Sequence, residues 1–298
     1  MRWSRTASRR SCSAMRDDAL TTEGGSACPA CRAPARPRID LGDYRLFACA
    51  RCGCWSSDAL VRGARTSFEP DAYFAHAEAD RARWDDLLRR VRLEASRCAR
   101  VLDVGCGGGD FLRWLAARAP ATERCGIELD PIRAERARAA DPQAHVAAGS
   151  VVDALAAVPG AFDLITLWDV FEHLPDPAAA LDALAGRLAP GGALFVQTIH
   201  EQSLVPRIGR ALYVASAGRL RGPARRTHEP HHLVFFSRAG LRALADRAGL
   251  AIRAQWPDRL ARARMDGGRA LVAATAAALA IENALGNGLF VNALFERR

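Results

Sequence analysis

Residues 101–112 read VLDVGCGGGDFL, and this stretch decides the fold. The apolar residues 101–104 predict a short buried strand, and residues 110–119 have a helical pattern. Between them lies the glycine-rich turn GCGGG. Such a turn lets the backbone approach a ligand closely, and the first N–H groups of the helix point at that ligand. Because residue 110 is Asp, the spacing is G-x-G-x-G and not the G-x-G-x-x-G of dinucleotide-binding turns.

The alternation of strand and helix continues along the chain after this turn. Helical patterns separate apolar runs that predict four further strands, at residues 123–129, 144–148, 162–167 and 193–199. This alternation predicts an α/β fold, a doubly wound parallel sheet with a ligand at the carboxyl ends of its strands. Glu128 lies near the end of the second strand, about twenty residues beyond the glycines, where an acid accepts hydrogen bonds from ribose hydroxyls in such folds.

Five stretches together resemble the class I S-adenosylmethionine-dependent methyltransferases. They are VLDVGCGGGDFL (101–112), GIELD (126–130), FDLITLWDVFEHLPDP (162–177), LAPGGALFVQT (188–198) and HHLVFFSRAGLRALADRAGL (231–250). They stand in the family's order, and the resemblance covers residues 80–298. It implies a Rossmann-like sheet of seven strands, with strand six at residues 250–256 and an antiparallel last strand at residues 289–294. It also implies S-adenosylmethionine as the cofactor and transfer of its methyl group as the reaction.

The resemblance further implies a set of cofactor-binding residues. Asp103 would reach the methionine amino group, and Glu128 would hold the ribose hydroxyls. Ser150 departs from the family pattern, because many relatives have Asp or Asn near this position, so the contact to the adenine amine stays open. The rest of the set is Gly105, Cys106 and Gly107 beside the methionine and ribose, Leu129 after the ribose acid, Val151 with Ser150 beside the adenine, and Trp168 and Asp169 under the methionine end.

Four cysteines precede this region with the spacing C-x2-C-x17-C-x2-C, namely Cys28, Cys31, Cys49 and Cys52. This spacing predicts a structural zinc site, because four thiolates complete the tetrahedral coordination of Zn²⁺. Residues 37–41 and 44–48 predict two strands, so we expect a zinc-ribbon hairpin. Cys54 is a spare thiol that could replace Cys52, and a reduced loop without metal is the alternative. A site closed by four thiolates has no open position, so we expect no catalytic role for this zinc.

Several histidines are candidates for the base that an oxygen or carbon acceptor often needs. Five of the seven fall in loops expected near the carboxyl ends of the strands. His200 follows the fifth strand, and His173 and His232 lie in stretches that resemble the family. His200, His232 and His173 are therefore our candidate catalytic residues, and capping or packing is the alternative role for each.

Residues 201–230 depart from a minimal core and predict an amphipathic lid helix with a basic rim. The insert contains Arg207, Arg210, Arg219, Arg221, Arg225 and Arg226. Arginine binds phosphate through bidentate hydrogen bonds, so we expect an acceptor that carries phosphate, such as a nucleotide sugar, a lipid-linked glycan or a nucleic acid. Contact with a membrane surface and an arginine-rich solvated lid are the alternatives.

The zinc ribbon leaves more than one function open. A ribbon before this core is similar to bacterial sugar-methylating enzymes, so our first hypothesis is methylation of a small molecule or glycan at O, C or N. The alternative is an RNA methyltransferase whose ribbon binds ribosomal RNA. The ribbon, however, lacks a dense basic and aromatic surface, and the sequence has no Asn/Asp-Pro-Pro-Tyr signature for base amines. A non-catalytic interaction protein is a third reading, against which the intact glycine turn argues.

Composition excludes other classes of protein. The 298 residues are 50% hydrophobic and 25% charged, which excludes a disordered or low-complexity chain. No apolar run reaches the roughly 18 residues of a membrane-spanning helix. All 42 basic residues are Arg, so the net charge of +9 reflects a GC-rich genome as much as a nucleic-acid-binding surface. Nine cysteines without a secretory signal predict a reduced, cytoplasmic setting, and the sequence does not indicate the oligomeric state.

These signals divide the chain into four parts. We predict a disordered leader at residues 1–24, a zinc-ribbon module at 25–56, a linker at 57–79 and a methyltransferase domain at 80–298 with the lid insert 201–230. The leader is rich in Ser and Arg and precedes Met15, an alternative start. Residues 75–93 predict a helix, and Tyr73 and Phe74 before it are candidates to fold over a ligand.

Overall fold

The computed structural model describes residues 26–64, 80–91, 99–258 and 268–298. The predicted leader, most of the predicted linker, Tyr73 and Phe74 lie outside the described residues. The strands are β1 (Ser26–Ala27), β2 (Pro34–Asp40), β3 (Arg45–Cys49), β4 (Trp55–Ser57), β5 (Arg100–Val104), β6 (Glu123–Glu128), β7 (His145–Ala148), β8 (Phe162–Trp168), β9 (Leu188–Ile199), β10 (Val234–Phe235), β11 (Leu250–Asp258) and β12 (Phe290–Arg297). The α-helices are α1 (Ala59–Arg62), α2 (Arg81–Val91), α3 (Asp110–Arg118), α4 (Pro131–Ala140), α5 (Val151–Ala154), α6 (Pro177–Ala185), α7 (Leu204–Ala215), α8 (Gly222–Thr227), α9 (Arg238–Arg247) and α10 (Arg269–Ala284).

Seven strands form one mixed sheet in the order β11-β12-β9-β8-β5-β6-β7. The pairs β5–β6, β6–β7, β5–β8 and β8–β9 are parallel. β12 runs antiparallel to both of its neighbours, β9 and β11. The prediction of a doubly wound, Rossmann-like sheet of seven strands with an antiparallel last strand is therefore confirmed.

β9 differs from its predicted extent because a glycine pair forms an irregularity inside the strand. The strand begins at Leu188, before the Pro-Gly-Gly sequence that predicted its opening turn. The register of β8 against β9 shifts between Phe162 and Leu164 at this point. A Cβ added to Gly192 would lie 2.6 Å from the carbonyl oxygen of Phe162, so the two backbones approach too closely for a larger residue.

Side chains from both faces of this sheet are buried. Leu194 on β9 belongs to a hydrophobic cluster with residues of α6 and α9, such as Leu184 and Leu241. Its neighbour Phe195 belongs to a different cluster, with residues of α2 and α3 such as Leu115. Successive strand residues point to opposite faces, so helices cover both faces and the strand ends are left for ligands.

The first four strands form a second sheet, in the order β1-β2-β3-β4-β10. The predicted hairpin corresponds to β2 and β3, which pair antiparallel. The fifth strand comes from a segment far from the ribbon in the sequence, because Phe235 of β10 pairs with Trp55 of β4. β1, β4 and β10 were not predicted, since strands of two or three residues are too short to show a periodic pattern.

Polar contacts hold this second sheet against the large domain. Arg247 donates to the carbonyl of Ala30 at 2.8 Å. Arg225 of α8 forms a bidentate pair with Asp43 at 2.5 and 2.8 Å, so the predicted lid insert contacts the ribbon. The buried ribbon residue Cys49 belongs to the same hydrophobic cluster as the core of the large sheet. The predicted domain boundaries and the role of the insert as a lid stay predictions.

Candidate active site and zinc site

The glycine turn lies where β5 ends and α3 begins. The N–H groups of Gly105 and Cys106 donate to the carbonyl of Ile127 on β6 at 2.7 and 3.1 Å. Gly105 has a φ of +72°, and a Cβ added there would collide with Cγ2 of Val170. A Cβ on Gly108, by contrast, would meet nothing within 4 Å. The first glycine of the turn therefore cannot be replaced by a larger residue without a collision.

Two buried carboxylates lie beside this turn. Glu128 accepts the N–H of Gly107 at 2.8 Å and the N–H of Asp130 at 3.0 Å, one on each carboxylate oxygen. Asp103 accepts the hydroxyl of Thr166 at 2.7 Å. A carboxylate has about four lone-pair sites, so both acids keep acceptor capacity for a ligand.

The electrostatics of Asp103 suit a cationic ligand. Burial raises the pKa of Asp103 to about 7, and the charge of Glu128 adds to the rise against the hydrogen bond from Thr166. A cation placed beside this carboxyl would stabilise its ionised form. The glycine-rich turn, the acid Glu128 at the expected ribose position and the second acid Asp103 thus fit S-adenosylmethionine, whose amino group is cationic.

The structure places the two predicted adenine residues at the start of α5. Ser150 Oγ donates to Asp153 Oδ2 at 2.7 Å and accepts the Asp153 N–H at 3.3 Å, so it caps this helix. Val151 is buried. Leu129, next to Glu128 at the end of β6, is 72% exposed. Leu129 therefore offers an uncovered apolar surface at the edge of the site.

Trp168 and Asp169 lie at the end of β8, the strand next to β5. The Trp168 ring packs against Phe195 with centroids 4.4 Å apart, and its indole N–H has no hydrogen-bond partner among the described residues. Asp169 has a φ of +53°, which is unusual for a residue other than glycine. Such backbone strain is concentrated at functional sites, so this turn is a candidate for contact with the reacting groups.

The structure brings two of the three candidate bases together. Ligand nitrogens of His173, His231 and His232 lie within 4.8 Å of one another, and His173 Nδ1 lies 2.9 Å from the carbonyl of His231. Burial lowers the pKa values of all three, with His231 at about 4. Neutral imidazoles at this spacing have the donor set that could also hold a transition metal.

His200 lies apart from this group, directly after β9. It is 3% exposed, and burial and the charge of Arg238 lower its pKa to about 4. A general base works best with a pKa near the operating pH, so the surroundings of His200 make it a weak base before a ligand binds.

Sequence analysis missed residues that support this site. Thr166 fixes Asp103, and its position as a polar residue inside an apolar strand was a usable signal. Val170 limits the size of residue 105. Arg83 donates to Gln197 at 2.6 Å, and the charge of Asp169 contributes to raising its pKa. Nothing in the local sequence distinguishes Arg83 from the other arginines of α2.

The four predicted zinc ligands converge between the two C-x-x-C turns. Cys28 Sγ lies 3.5 Å from Cys52 Sγ, Cys31 Sγ lies 3.4 Å from Cys49 Sγ, and all four sulfurs are within 4.8 Å of one another. A tetrahedral zinc with Zn–S bonds of about 2.3 Å separates its sulfurs by roughly 3.8 Å. The donor set and spacing therefore fit a structural zinc ion.

The two turns that present these sulfurs have the same backbone design. Arg32 donates its N–H to the carbonyl of Cys28, and Gly53 donates to the carbonyl of Cys49, both at 2.9 Å. Both donors have positive φ, at +59° and +74°. Arg32 in the first turn thus has the same left-handed backbone conformation as Gly53 in the second turn.

Comparison with known proteins identifies a family and several relatives of this chain. The family described as "Methyltransferase domain" matches residues 59–255. The ubiquinone biosynthesis O-methyltransferase of Xylella fastidiosa is 39% identical over 120 residues, which is 40% of this chain and 48% of that protein. The protein of the same name from Azotobacter vinelandii is 33% identical over 175 residues, 57% of this chain and 73% of that protein. The chain spans about half the length of the first of these relatives.

A solved structure has a similar fold. The plantazolicin methyltransferase BamL, in complex with a triazolic desmethylPZN analog and SAH, superposes with a TM-score of 0.50. The alignment covers 76% of this chain and 89% of that chain, at 15% sequence identity. At this identity the likeness concerns the fold alone.

Proposed function

This chain belongs to the S-adenosylmethionine-dependent methyltransferases, and from that premise we propose that it methylates a hydroxyl oxygen of a small molecule or glycan. The observation that carries the proposal is the pair of buried carboxylates, Asp103 and Glu128, beside a glycine turn whose first glycine, Gly105, excludes a larger side chain. The name O-methyltransferase of the two relatives supports oxygen as the methylated atom.

Each residue of the cofactor site has a proposed task. Glu128, held by two backbone N–H groups, accepts hydrogen bonds from the ribose hydroxyls. Asp103 binds the methionine amino group, and Thr166 keeps its carboxyl in place. Leu129 and Val151 pack on the adenine, while the Ser150 hydroxyl caps α5 and leaves adenine contacts to the backbone. Gly105, Cys106, Gly107, Trp168 and Asp169 complete the site around the methionine and ribose.

The chemistry needs alignment more than activation. The sulfonium of S-adenosylmethionine supplies an already activated methyl group. The protein has to hold an acceptor oxygen in line with the S–CH₃ bond at roughly 3 Å. His173, His200 and His232 stay candidates to accept the hydroxyl proton. His232 has a buried Nδ1 with no hydrogen-bond partner among the described residues.

Cofactor affinity is expected to rise with pH between about 6 and 8. Asp103 has a pKa of about 7 in the protein without ligand, and only its ionised form pairs with the cofactor's ammonium group. Below that pKa a proton must leave on binding, so affinity falls by up to about tenfold per pH unit. Calorimetric titration with S-adenosylhomocysteine at several pH values measures this dependence. Asp103→Asn should bind weakly at every pH, and a wild-type affinity that is flat with pH would contradict the role of Asp103.

The proposed reaction is tested with purified, zinc-analysed protein. Binding of S-adenosylhomocysteine is measured first, and methyl transfer from labelled S-adenosylmethionine is then measured with nucleotide sugars, lipid-linked glycans and other hydroxyl-bearing acceptors. Label in an O-methyl product supports the proposal. Cofactor binding with transfer only to RNA, falling steeply with salt, would favour the RNA methyltransferase instead. Label on carbon or nitrogen would correct the methylated atom.

The site of action in the cell stays a prediction. Within the ranges that the structure describes, no helix is both long and apolar enough to cross a bilayer. Free thiols, among them Cys106 and Cys125 in the core, suit a reducing compartment. We propose the cytoplasm on this ground.

A further inference from the structure

A cavity of about 650 Å³ lies between the zinc ribbon and the carboxyl end of β9 in the large sheet. Gly53 and Trp55 of the ribbon line it, and so does His200, which follows β9. Trp168, the last residue of β8, pairs with Gln197 of β9. His200 follows Gln197 by three residues, which corresponds to about 10 Å at the rise of a strand. The cavity therefore adjoins the strand ends where methyl transfer is proposed.

This cavity has an excess of positive charge. Arg207, Arg210 and Arg238 line it together with one acid, Glu201. Glu201 is fully buried and already paired, because its carboxylate contacts Arg210 and lies 3.0 Å from Nε2 of His228. Glu201 and Arg210 neutralise each other, and the charge of Arg207 interacts with the carboxylate of Glu282, so Arg238 contributes the net positive charge of the lining.

Polar atoms in the cavity lining have unused hydrogen-bonding capacity. Nε and Nη2 of Arg238 and both ring nitrogens of His200 are buried without a hydrogen-bond partner among the described residues. Asn287 and the Gly288 backbone lie beside the His200 ring without meeting hydrogen-bond geometry. Buried polar atoms in native proteins nearly always have partners. A guanidinium nitrogen only donates, whereas a neutral imidazole has one donor and one acceptor nitrogen, so these atoms offer three donors and one acceptor to a ligand rich in hydrogen-bond acceptors.

A second cavity of about 550 Å³ extends the positive surface. It shares Gln202 and Arg238 with the first, and its lining adds Arg242 and Arg253. Its described lining residues include no acid. Positive charge therefore continues from the ribbon to β11, with Arg238 between the two cavities. Guanidinium groups in this number suit the paired oxygens of phosphate groups.

We propose that these adjoining cavities bind a phosphate or diphosphate group of the methyl acceptor, with Arg238 as the central contact and Arg207 beside it. That the molecule carrying the phosphate is the methyl acceptor rests on the proposed function. That the cavities bind an anion does not rest on it. The proposal also gives the ribbon a task, since Gly53 directly follows the zinc ligand Cys52. A Cβ on Gly53 would lie 2.8 Å from Gln202 Nε2, so the ribbon is pressed against this lining.

The test uses pyrophosphate as the probe and the full-length zinc-loaded protein. Calorimetry at constant ionic strength compares wild type with Arg238→Ala and Arg207→Ala. The matched control is Arg89→Ala, because Arg89 has a 69% exposed side chain on α2, outside both cavities. We expect a roughly ten- to hundredfold loss of pyrophosphate affinity in Arg238→Ala, a smaller loss in Arg207→Ala and no change in the control. S-adenosylhomocysteine affinity, measured in parallel, should be the same in all four proteins.

Other outcomes separate this proposal from the proposed function. Equal weakening in Arg238→Ala and Arg89→Ala, or no pyrophosphate binding by wild type, would overturn the anion site. If Arg238→Ala does not fold, the comparison of Arg207→Ala with Arg89→Ala decides. If pyrophosphate binds and its binding depends on Arg238, while S-adenosylhomocysteine does not bind, the anion site is supported and the proposed methyl transfer is contradicted. If an RNA oligonucleotide displaces pyrophosphate far more strongly than a nucleoside diphosphate does, the proposal of a small acceptor is overturned.

Discussion

Replacing Gly105 with Ala is expected to lower the affinity for S-adenosylhomocysteine by roughly a hundredfold. Gly105 has a φ of +72°, which costs an L-residue about 1–2 kcal/mol, and its new methyl group would collide with Val170. Relief of the collision requires movement of the glycine turn or of the segment after β8. Both segments carry proposed cofactor contacts, so the strain is expected to appear as lost affinity. Calorimetric titration measures it.

The same turn offers a matched control in Gly108→Ala. A Cβ there meets nothing within 4 Å, and the backbone is not in the left-handed region. We expect this variant to bind S-adenosylhomocysteine within a few-fold of wild type. Thermal unfolding separates lost binding from lost folding in both proteins. Equal affinities of Gly105→Ala and wild type would refute the placement of the cofactor on this turn.

The strand order and the glycine turn could be predicted because their causes are local. In residues 101–112, the apolar run, the glycines and the helical pattern follow one another directly in the sequence. Right-handed crossover rules then leave few ways to assemble such units into a sheet. Glu128 could be placed for the same reason, since it ends the strand next to the turn.

The arrangement around the ribbon could not be predicted, because its causes are distant in the sequence. β10 has two residues, and only pairing with Trp55 makes it a strand. Arg238 is the first residue of α9, and the fold leaves two of its nitrogens buried without partners among the described residues. Tertiary contact, not local pattern, determines both features.

The histidines show a similar limit. His173 and His232 come from segments about sixty residues apart, and the fold brings their ring centroids to within 4.8 Å, with the rings tilted by 40°. Sequence position suggested that His200 would join them near the strand ends. It does follow the end of β9, but it lines the cavity beside the ribbon, where burial and Arg238 lower its pKa. Proximity to a strand end was predictable, but which of the rings come together was not, because that depends on tertiary contacts.

Replacing Cys52 with Ala is expected to remove the zinc ion, whereas Cys54→Ala should retain it. The two residues are neighbours in the ribbon, and both are buried. The sulfur of Cys52 belongs to the four that lie within 4.8 Å of one another, while Cys54 Sγ accepts the Ser237 N–H at 3.4 Å. Metal analysis of the purified variants should give about one zinc per chain for wild type and Cys54→Ala, and none for Cys52→Ala.

The loss of zinc should also lower stability, and by more than the loss of one buried side chain. Structural zinc contributes on the order of 10 kcal/mol of binding free energy to small sites, so the metal-free ribbon is expected to unfold. Its unfolding would uncover Phe236 and Leu241, which share a hydrophobic cluster with the ribbon cysteines, and the thermal midpoint should fall. Asp103 and Glu128 make no described contact with the ribbon, so S-adenosylhomocysteine binding should survive below the new midpoint. Zinc lost in a folded Cys54→Ala variant would show that Cys54 is a ligand and that the assigned set of four is wrong. Zinc retained in Cys52→Ala would contradict the expectation that Cys52 is required, since Cys54 would then replace it.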